Sequence, residues 1–598
     1  MSRILGVCVL FSGAQLVVDA PARALDQLDF NVKGDDDKVA DTLRDASLLL
    51  AAQAEGNTNP QDLFATARAE YGRLLGSLYA MGRYSGVIQI KIDGREAASI
   101  APLDAPKQIG KITLSVDPGP EFRFSKAAIG PLAADTALPK GFAVGKVAKS
   151  DLVSAAASAA VDGWRNVGHA KADVTEQDLT ADHRANTLAA SLRITAGPRL
   201  RFGALAVVGN ERMRLNRIIK IAGLPTGEQF SPEELEDAAE RLRRTGVFSS
   251  VTLIEDDRIT APDTLGITAK LAEEKLRRYS FGVEVASSEG AKISGYWLHR
   301  NLFGGGERFK VEGEVAQIGA QGSGKDYSLG FSLDRPATLT PDATGTLYFK
   351  IAHQDEADYV QDSAQLGLNF TYYFSRDLTA RAGIEYNMHR VKYPTRTDEF
   401  RTLGLPFGVN WDKRNVKADA THGYYIDAGA RPFYGFGGTD SGFTAALDAR
   451  AYYGFGDTDR VTIAGRLQAK AVLGASIGKV PPDYLFYSGG GGTVRGQAYQ
   501  ALGFVNPITR ERTGGTGFIG ASIEVRTRVT ESIGIVGFYD YGQIASDGLF
   551  GGTTKSHAGA GLGIRYATGF GPIRLDIAAP VSGGGKKPQI YIGIGQAF

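Results

Sequence analysis

From about residue 276 to residue 598 the chain alternates apolar and polar residues with a period of two, and few folds accept that pattern over so long a stretch. In VTIAGRLQAKAVL, Val461, Ile463, Gly465, Leu467, Ala469, Ala471 and Leu473 fall on one face, while Thr462, Arg466, Gln468 and Lys470 fall on the other. A soluble sandwich hides its apolar face in a shared core and rarely strings together many strands of about ten residues. A membrane barrel turns that face to lipid and its polar face inward. Sixteen candidate strands lie between Phe281 and Phe598, separated by turn clusters such as DRPATLTPDATG and FGGTDSG. An even count is what a bacterial barrel requires.

The chain has 76 glycines, 29 phenylalanines and 24 tyrosines, with only 22% charged residues, a balance that favours strands and tight turns over helical bundles. A formal net charge of +1 supplies no general pull toward nucleic acid. At 598 residues several domains are expected. The N-terminus reads Met-Ser-Arg, the apolar run ILGVCVLFSGAQLVV and then Ala22-Arg23-Ala24, the order of a secretory signal peptide over residues 1–24. Cys8 within it is the one cysteine of the sequence, so the exported form is expected to carry neither disulfides nor thiol chemistry. Beyond that run no stretch of about 18 apolar residues occurs, so a membrane crossing is expected to be made by strands.

Before the alternation begins, the sequence repeats itself. Gly119-Pro120-Glu121-Phe122-Arg123-Phe124 recurs 78 residues later as Gly197-Pro198-Arg199-Leu200-Arg201-Phe202, and each copy leads into a short apolar strand ending at Gly130 or Gly209. A helix, then a glycine, then a strand is predicted three times, with Gly82, Gly168 and Gly246 as the helix stops. In the third unit Ser231-Pro232-Glu233-Glu234 offers an N-cap, a proline at the first helical position and a capping-box glutamate, and Leu235, Ala238 and Leu242 keep helical spacing. Val39, Leu43, Ala46 and Leu50 repeat the theme in the first unit. Each unit reads as strand, helix, helix, strand, strand, a small α+β domain. The expected boundaries are 25–118, 119–197 and 198–275 for the three units and 276–598 for a sixteen-stranded antiparallel transmembrane β-barrel.

The longest gap between candidate strands, Ala475 to Asn506, contains GGGGTVRGQAYQALGF. Its glycines are not a phosphate loop, because no Gly-Lys-Ser/Thr and helix follow them. In the next strand Ile519, Ala521, Ile523 and Val525 alternate with Ser522, Glu524, Arg526 and Arg528, and in the one after it Asp540 shares a face with Val536 and Phe538. The alternation aims Glu524 and Asp540 at the lumen. Two arrangements satisfy these residues. In one, Arg495 folds back into the barrel and both carboxylates hold its guanidinium. In the other, Arg495 faces water while Glu524 and Asp540 balance inward Arg526, Arg528, Arg565 and Arg574 in a wet channel.

These stretches resemble a known family, the outer-membrane assembly and translocation barrels that carry POTRA domains: BamA, TamA and the two-partner secretion exporters. The Val494-Arg495-Gly496 loop resembles the loop that plugs the lumen in that family, and Gly537-Phe538-Tyr539-Asp540-Tyr541-Gly542 resembles the strand motif its arginine engages. Arg300-Asn301-Leu302-Phe303-Gly304 with Gly306-Glu307, WDKRNVKADATHGYY and Gly571-Pro572-Ile573-Arg574-Leu575-Asp576 follow in order. The resemblance covers nearly all of the chain after the export signal. It implies three POTRA-like domains in the periplasm, a barrel in the outer membrane of a Gram-negative bacterium, and a lumen clasp formed by Val494, Arg495, Gly496, Glu524 and Asp540. It also implies a lateral seam at which Phe281, Val283 and Val285 meet the closing segment of Tyr591, Gly593, Gly595 and Phe598. The glycines of that segment make the seam the expected weak joint.

Three repeats, sixteen strands and the ending from Tyr591 to Phe598 are most similar to the TamA branch of the family. That similarity implies insertion or export of unfolded β-barrel or autotransporter clients, contact with outer-membrane lipid, and a TamB-like inner-membrane-anchored partner. A BamA-like general insertase and a two-partner secretion exporter are the alternatives. No cofactor, metal or nucleic acid is expected. His169, His183, His299, His353, His389, His422 and His557 stand singly, with no His-x-x-x-His pair, and inward arginines would keep Glu524 and Asp540 ionised and unfit for acid–base work. A passive porin would have no use for residues 25–275.

Overall fold

The computed structural model describes residues 27–598 apart from 35–36, 321–322, 457, 506–510, 570 and 584. The expected export signal lies outside the described residues. Two compact units divide the chain, one holding residues up to 202 and two short later segments, the other holding nearly everything that follows.

The first unit contains two small sheets. In the first, Gln27–Val32, Lys111–Asp117, Val87–Ile92 and Arg95–Glu96 lie side by side in that order, and Gln27–Val32 runs parallel to Lys111–Asp117. Leu43, Leu63 and Leu74 from its helices pack on Ile90, Ile112 and Leu114 from its strands. Among the described residues it has three α-helices where the sequence reading expects two, because Ser47 caps Leu48–Ala54 as a separate element. In the second sheet Thr187–Thr195 lies between Arg123–Gly130 and Asp173–Asp182. It carries a single α-helix, Ser150–Asn166, where two are expected. Pro131, Pro139, Gly141 and Gly145 fill the place of the missing helix, and so dense a run of breakers prevents a first turn from propagating. Gly82 and Gly168 each come two residues after a helix and adopt positive φ, as helix-stopping glycines do.

The second unit joins a third sheet to the barrel. Thr264–Glu273 lies between Arg201–Val208 and Phe248–Thr260, and helices Leu215–Ala222 and Pro232–Arg244 bury Ile218, Ile221, Ala238 and Leu242 against it. Ala337, from a barrel turn, belongs to the same core. Arg217 Nη2 donates to the Pro336 carbonyl at 2.7 Å and Arg241 pairs with Asp342 at 2.8 Å, so the third domain is bolted to the turns of the barrel.

The barrel is closed and has sixteen antiparallel strands. Two of its segments, Thr397–Gly404 and Phe407–Asp412, share both neighbours, Leu378–Lys392 and Gly423–Phe436. They are one strand interrupted at Leu405-Pro406, where proline brings no N–H to the ladder. Leu347, Phe349, Ile351, Ile523 and Val525 stand bare on the outer face, while Glu524, Asp540, Arg565 and Asp576 are buried within. Bare apolar residues on every second position are what a lipid-facing wall requires. Among the described residues no helix is long and apolar enough to cross a membrane.

Candidate functional site: a lumen clasp and a short seam

The segment between Val461–Leu473 and Gly517–Arg528 turns back into the barrel and brings Arg495 to 3% exposure. Its guanidinium grips Asp540 as a fork, Nε to Oδ2 at 2.8 Å and Nη2 to Oδ1 at 2.9 Å, and its backbone N–H adds a 3.1 Å bond to Oδ2. Nη1 donates to Glu524 Oε1 at 2.7 Å and to Asp576 Oδ2 at 3.3 Å. The Phe538 ring forms a floor, its centroid 3.6 Å from the guanidinium carbon, so a desolvated cation–π contact adds to the ion pairs. The remaining carboxylate oxygens are also used. Glu524 Oε2 accepts from Arg526 Nε at 2.9 Å, and Asp576 Oδ1 accepts from Arg565 at 2.5 Å. Three carboxylates thus meet three arginines, and each buried charge has an opposite neighbour, the condition for tolerating ions away from water.

The two flanks of Arg495 explain their residue types. Val494 is fully buried over Gly542, where a Cβ would stand 2.7 Å from its Cγ2. Gly496 has φ +90° and would place a Cβ 2.6 Å from the Ala579 carbonyl oxygen, so both its conformation and its space call for glycine. Of the two arrangements open from the sequence, the structure has Arg495 inside and still gives Glu524 to Arg526. Arg528, by contrast, lies exposed at its strand end. Asp576 and Phe538 are members of the cluster that the sequence reading did not assign to it. Asp576 was accessible by the same period-two count, since Arg574, Asp576 and Ala578 share one face of Ile573–Ser582.

At the seam, the first strand, Arg277–Ala286, makes ten ladder pairs with its neighbour Gly290–His299 but only two with the last strand, Gln589–Ile594: Val285 with Ile592 and Ala286 with Tyr591. Several expected seam residues therefore need correction. Phe281 and Val283 lie on the first strand without a partner across the seam, and Gly593 pairs only with Arg574 on the other side. Gly595, at φ +93°, turns the chain out of the sheet. Phe598 is not at the seam at all; it is buried with Ala420, Tyr452 and Ala464, and its carbonyl accepts from Arg526 Nη2 at 3.0 Å. The physical reason is the brevity of the closing strand, six residues long, after which the left-handed glycine redirects the backbone inward.

The Arg300 to Glu307 motif sits at the base of the barrel as a socket. Asn301 Oδ1 accepts from Gly306 N at 2.9 Å and Glu307 Oε2 from Gly305 N at 2.8 Å, while the carbonyls of Gly304 and Gly305 point to the third domain and accept from Arg214 N at 2.9 Å and Arg217 Nε at 3.2 Å. The loop that carries Arg214 is held from behind by Glu273, whose carboxylate accepts the N–H groups of Glu211, Arg212 and Met213 at 2.8 to 2.9 Å and the Arg212 Nε at 2.8 Å. Burial pushes the Glu273 carboxyl up, but these donors outweigh it and hold the group below the ordinary glutamate value.

Gly474-Ala475-Ser476-Ile477-Gly478 has the Gly-x-Ser-x-Gly spacing of a nucleophile elbow. Here it leads from a strand into a three-residue turn, Ile477–Lys479, and Ser476 N donates to Asp440, so the strand-to-helix turn that exposes such a serine is missing. Among the described residues, no three His, Cys, Asp or Glu side chains are grouped to hold a metal ion.

A closed, lipid-faced barrel with an inward arginine loop and an α+β domain bolted to its base defines an outer-membrane barrel with a periplasmic domain. Residues 301–598 match the Omp85 superfamily domain and residues 200–273 match the POTRA family, described as a surface antigen variable number repeat; the chain belongs to the Omp85 superfamily. The outer membrane assembly factor BamA of Nitratidesulfovibrio vulgaris is 24% identical over 405 residues, 64% of this chain, and the match spans about half (49%) of that relative. BamA from Haemophilus ducreyi lacking POTRA domains 1–3 superposes over 79% of this chain and 100% of its own, with a TM-score of 0.60 and 16% identity. CdiB from Acinetobacter baumannii covers 80% of this chain and 90% of its own, with a TM-score of 0.52 and 12% identity. The barrel sits in the outer membrane with its POTRA domain in the periplasm.

Proposed function

We propose that this chain is a TamA-like insertase or exporter of β-rich outer-membrane proteins, autotransporters among them, working with a TamB-like inner-membrane-anchored partner and in contact with outer-membrane lipid. The first two sheets are read as POTRA domains like the third, which gives three. The observation that carries the proposal is the seam, two ladder pairs against ten on the neighbouring joint. Most of the outer edge of the first strand is left with free N–H and C=O groups, a template for an incoming strand. In the third domain Phe248–Thr260 is an edge strand, available to an extended client in the same main-chain mode. A BamA-like general insertase is the second reading, favoured by the BamA relative and the BamA fold match. The test is the full chain in liposomes, presented with a urea-unfolded autotransporter β-domain. Protease-resistant insertion faster than into empty liposomes is expected, together with co-purification of a TamB-like protein from cells. No acceleration overturns the insertase reading, and acceleration without that partner moves the chain to the BamA-like one.

A further inference from the structure

The four glycines before the clasp lie against the seam. Gly491 N donates to Glu289 Oε1 at 2.7 Å, and Glu289 belongs to the hairpin that follows the first strand. Gly496 N donates to the Tyr591 hydroxyl at 3.2 Å, and Tyr591 belongs to the last strand. One loop segment therefore holds both sides of the seam from within. It does so beside the part of the seam that is paired, since Tyr591 is itself the ladder partner of Ala286.

The segment is stiff enough to transmit a restraint. Gly490 bridges Val494, Gly490 N donates to the Gln497 carbonyl at 3.2 Å, and Gly489 N donates to Thr493 Oγ1 at 2.8 Å, so residues 489 to 497 form a closed turn with Arg495 at one side. Gln497 Nε2 anchors the turn further, to the carbonyls of Ala558 and Ser582 at 2.7 and 2.6 Å. The glycines are needed for contact: Gly490 has φ +93° and a Cβ on it would stand 2.7 Å from Glu289 Oε1, and one on Gly491 would stand 3.2 Å from the Tyr591 ring. Tyr591 packs with Ala286, Phe538 and Ala578, and Phe538 is the floor under Arg495.

We propose that Glu289 and Tyr591 are positioning residues through which the Gly489–Gln497 turn straps the seam shut, so that a strand entering there must first lift the glycine run off both edges. This rests on the reading of the seam as the gate, and it adds that the loop is a second lock, laid over the two-pair ladder. The loop's hydrogen bonds then add to the cost of opening beyond the bonds that Ser287 makes directly across the seam, to the Ile590 carbonyl and N–H and to Gln589 Oε1, and Arg495 holds the strap down from the opposite side.

The test is hydrogen–deuterium exchange on the full chain in lipid nanodiscs, comparing wild type with Glu289→Ala, Tyr591→Phe and the double variant. The lost bonds, two at 2.7 and 3.2 Å and a long 3.5 Å one from the Tyr591 hydroxyl to the Gln497 carbonyl, predict that seam amides in residues 285–287 and 590–592 exchange about tenfold faster in the double variant. Amides of Val461–Leu473, away from the seam, serve as the reference and should not change, and unchanged heat resistance on a gel certifies a folded barrel. Gly491→Val, which crowds Tyr591 without deleting either partner, should give the same local acceleration. Seam exchange equal to wild type in both the double variant and Gly491→Val overturns the strap. Faster seam exchange combined with client insertion that survives a disulfide-locked seam leaves the strap standing and sinks the gate.

Discussion

Asp540 has one partner. Among the described residues its carboxylate bonds only to Arg495, whereas Glu524 keeps Arg526 and Asp576 keeps Arg565 when Arg495 is removed. Arg495→Ala should therefore act mainly by orphaning Asp540, a buried charge left unpaired, at about 3 to 5 kcal/mol. Adding Asp540→Asn should recover part of the loss, because a neutral amide tolerates burial better than a lone carboxylate. Arg495→Lys should fail nearly as badly as alanine, since an ammonium cannot make the two-pronged bond or lie flat over Phe538. The gel temperature at which the folded barrel band disappears measures all three. Wild-type heat resistance in Arg495→Ala would return this arginine to a role without structural weight. Glu524 and Asp540 were legible because strand alternation fixes which side chains point inward. Asp576 obeyed the same rule, yet nothing in the sequence says that its strand passes under the loop. Glu289 was not legible, because a hairpin residue has no periodicity to place it.

The third periplasmic domain shows how an element can be readable while its docking is not. Pro232–Arg244 starts at the proline expected to open a helix, and Gly246 follows that helix with positive φ. Such local signals depend only on neighbours in sequence, and they failed in the second domain only where prolines and glycines displaced a helix. The socket of Arg300 to Glu307 was visible as a motif, but its partners Arg214 and Arg217 lie about ninety residues away, beyond any local rule. Glu273 links the two. Its carboxyl is held below the ordinary glutamate value in the folded domain, so its contribution to stability is fully present above that ordinary value and is lost as the pH falls through the lower folded one. Acid should loosen the 210–214 loop and the Arg214 contact with Gly304 before the barrel opens. Limited proteolysis of the full chain against pH checks this: wild type should become cleavable near residue 211 below about pH 4, and Glu273→Gln should be cleavable at neutral pH and indifferent to acid. A Glu273→Gln protein that keeps the wild-type acid transition would show that another group controls the loop.

The closed barrel was the most legible feature of the chain because period two carries both the strand and the side it shows to lipid. Its closure was not, because register at the seam depends on where the last strand ends, and Gly595 ends it early. The resulting joint decides the mechanism. Val285 and Ile592 are ladder partners with exposed side chains, and paired antiparallel residues lie about 4.5 to 5.5 Å apart at Cα, within disulfide reach. Cys8 is the one cysteine of the sequence, so in a Cys8→Ser background Val285→Cys with Ile592→Cys can form only the bridge intended. The oxidised pair should leave heat resistance intact, since it adds a link where two ladder pairs already exist, and should stop client insertion in liposomes. Reductant should restore insertion to the wild-type rate, and each single cysteine variant should behave as wild type throughout. If clients instead pass through the lumen, as an exporter with a sealed wall would require, the oxidised pair will insert or export at full rate. That result would remove lateral opening from this protein while leaving its fold, its clasp and its place in the outer membrane as they are.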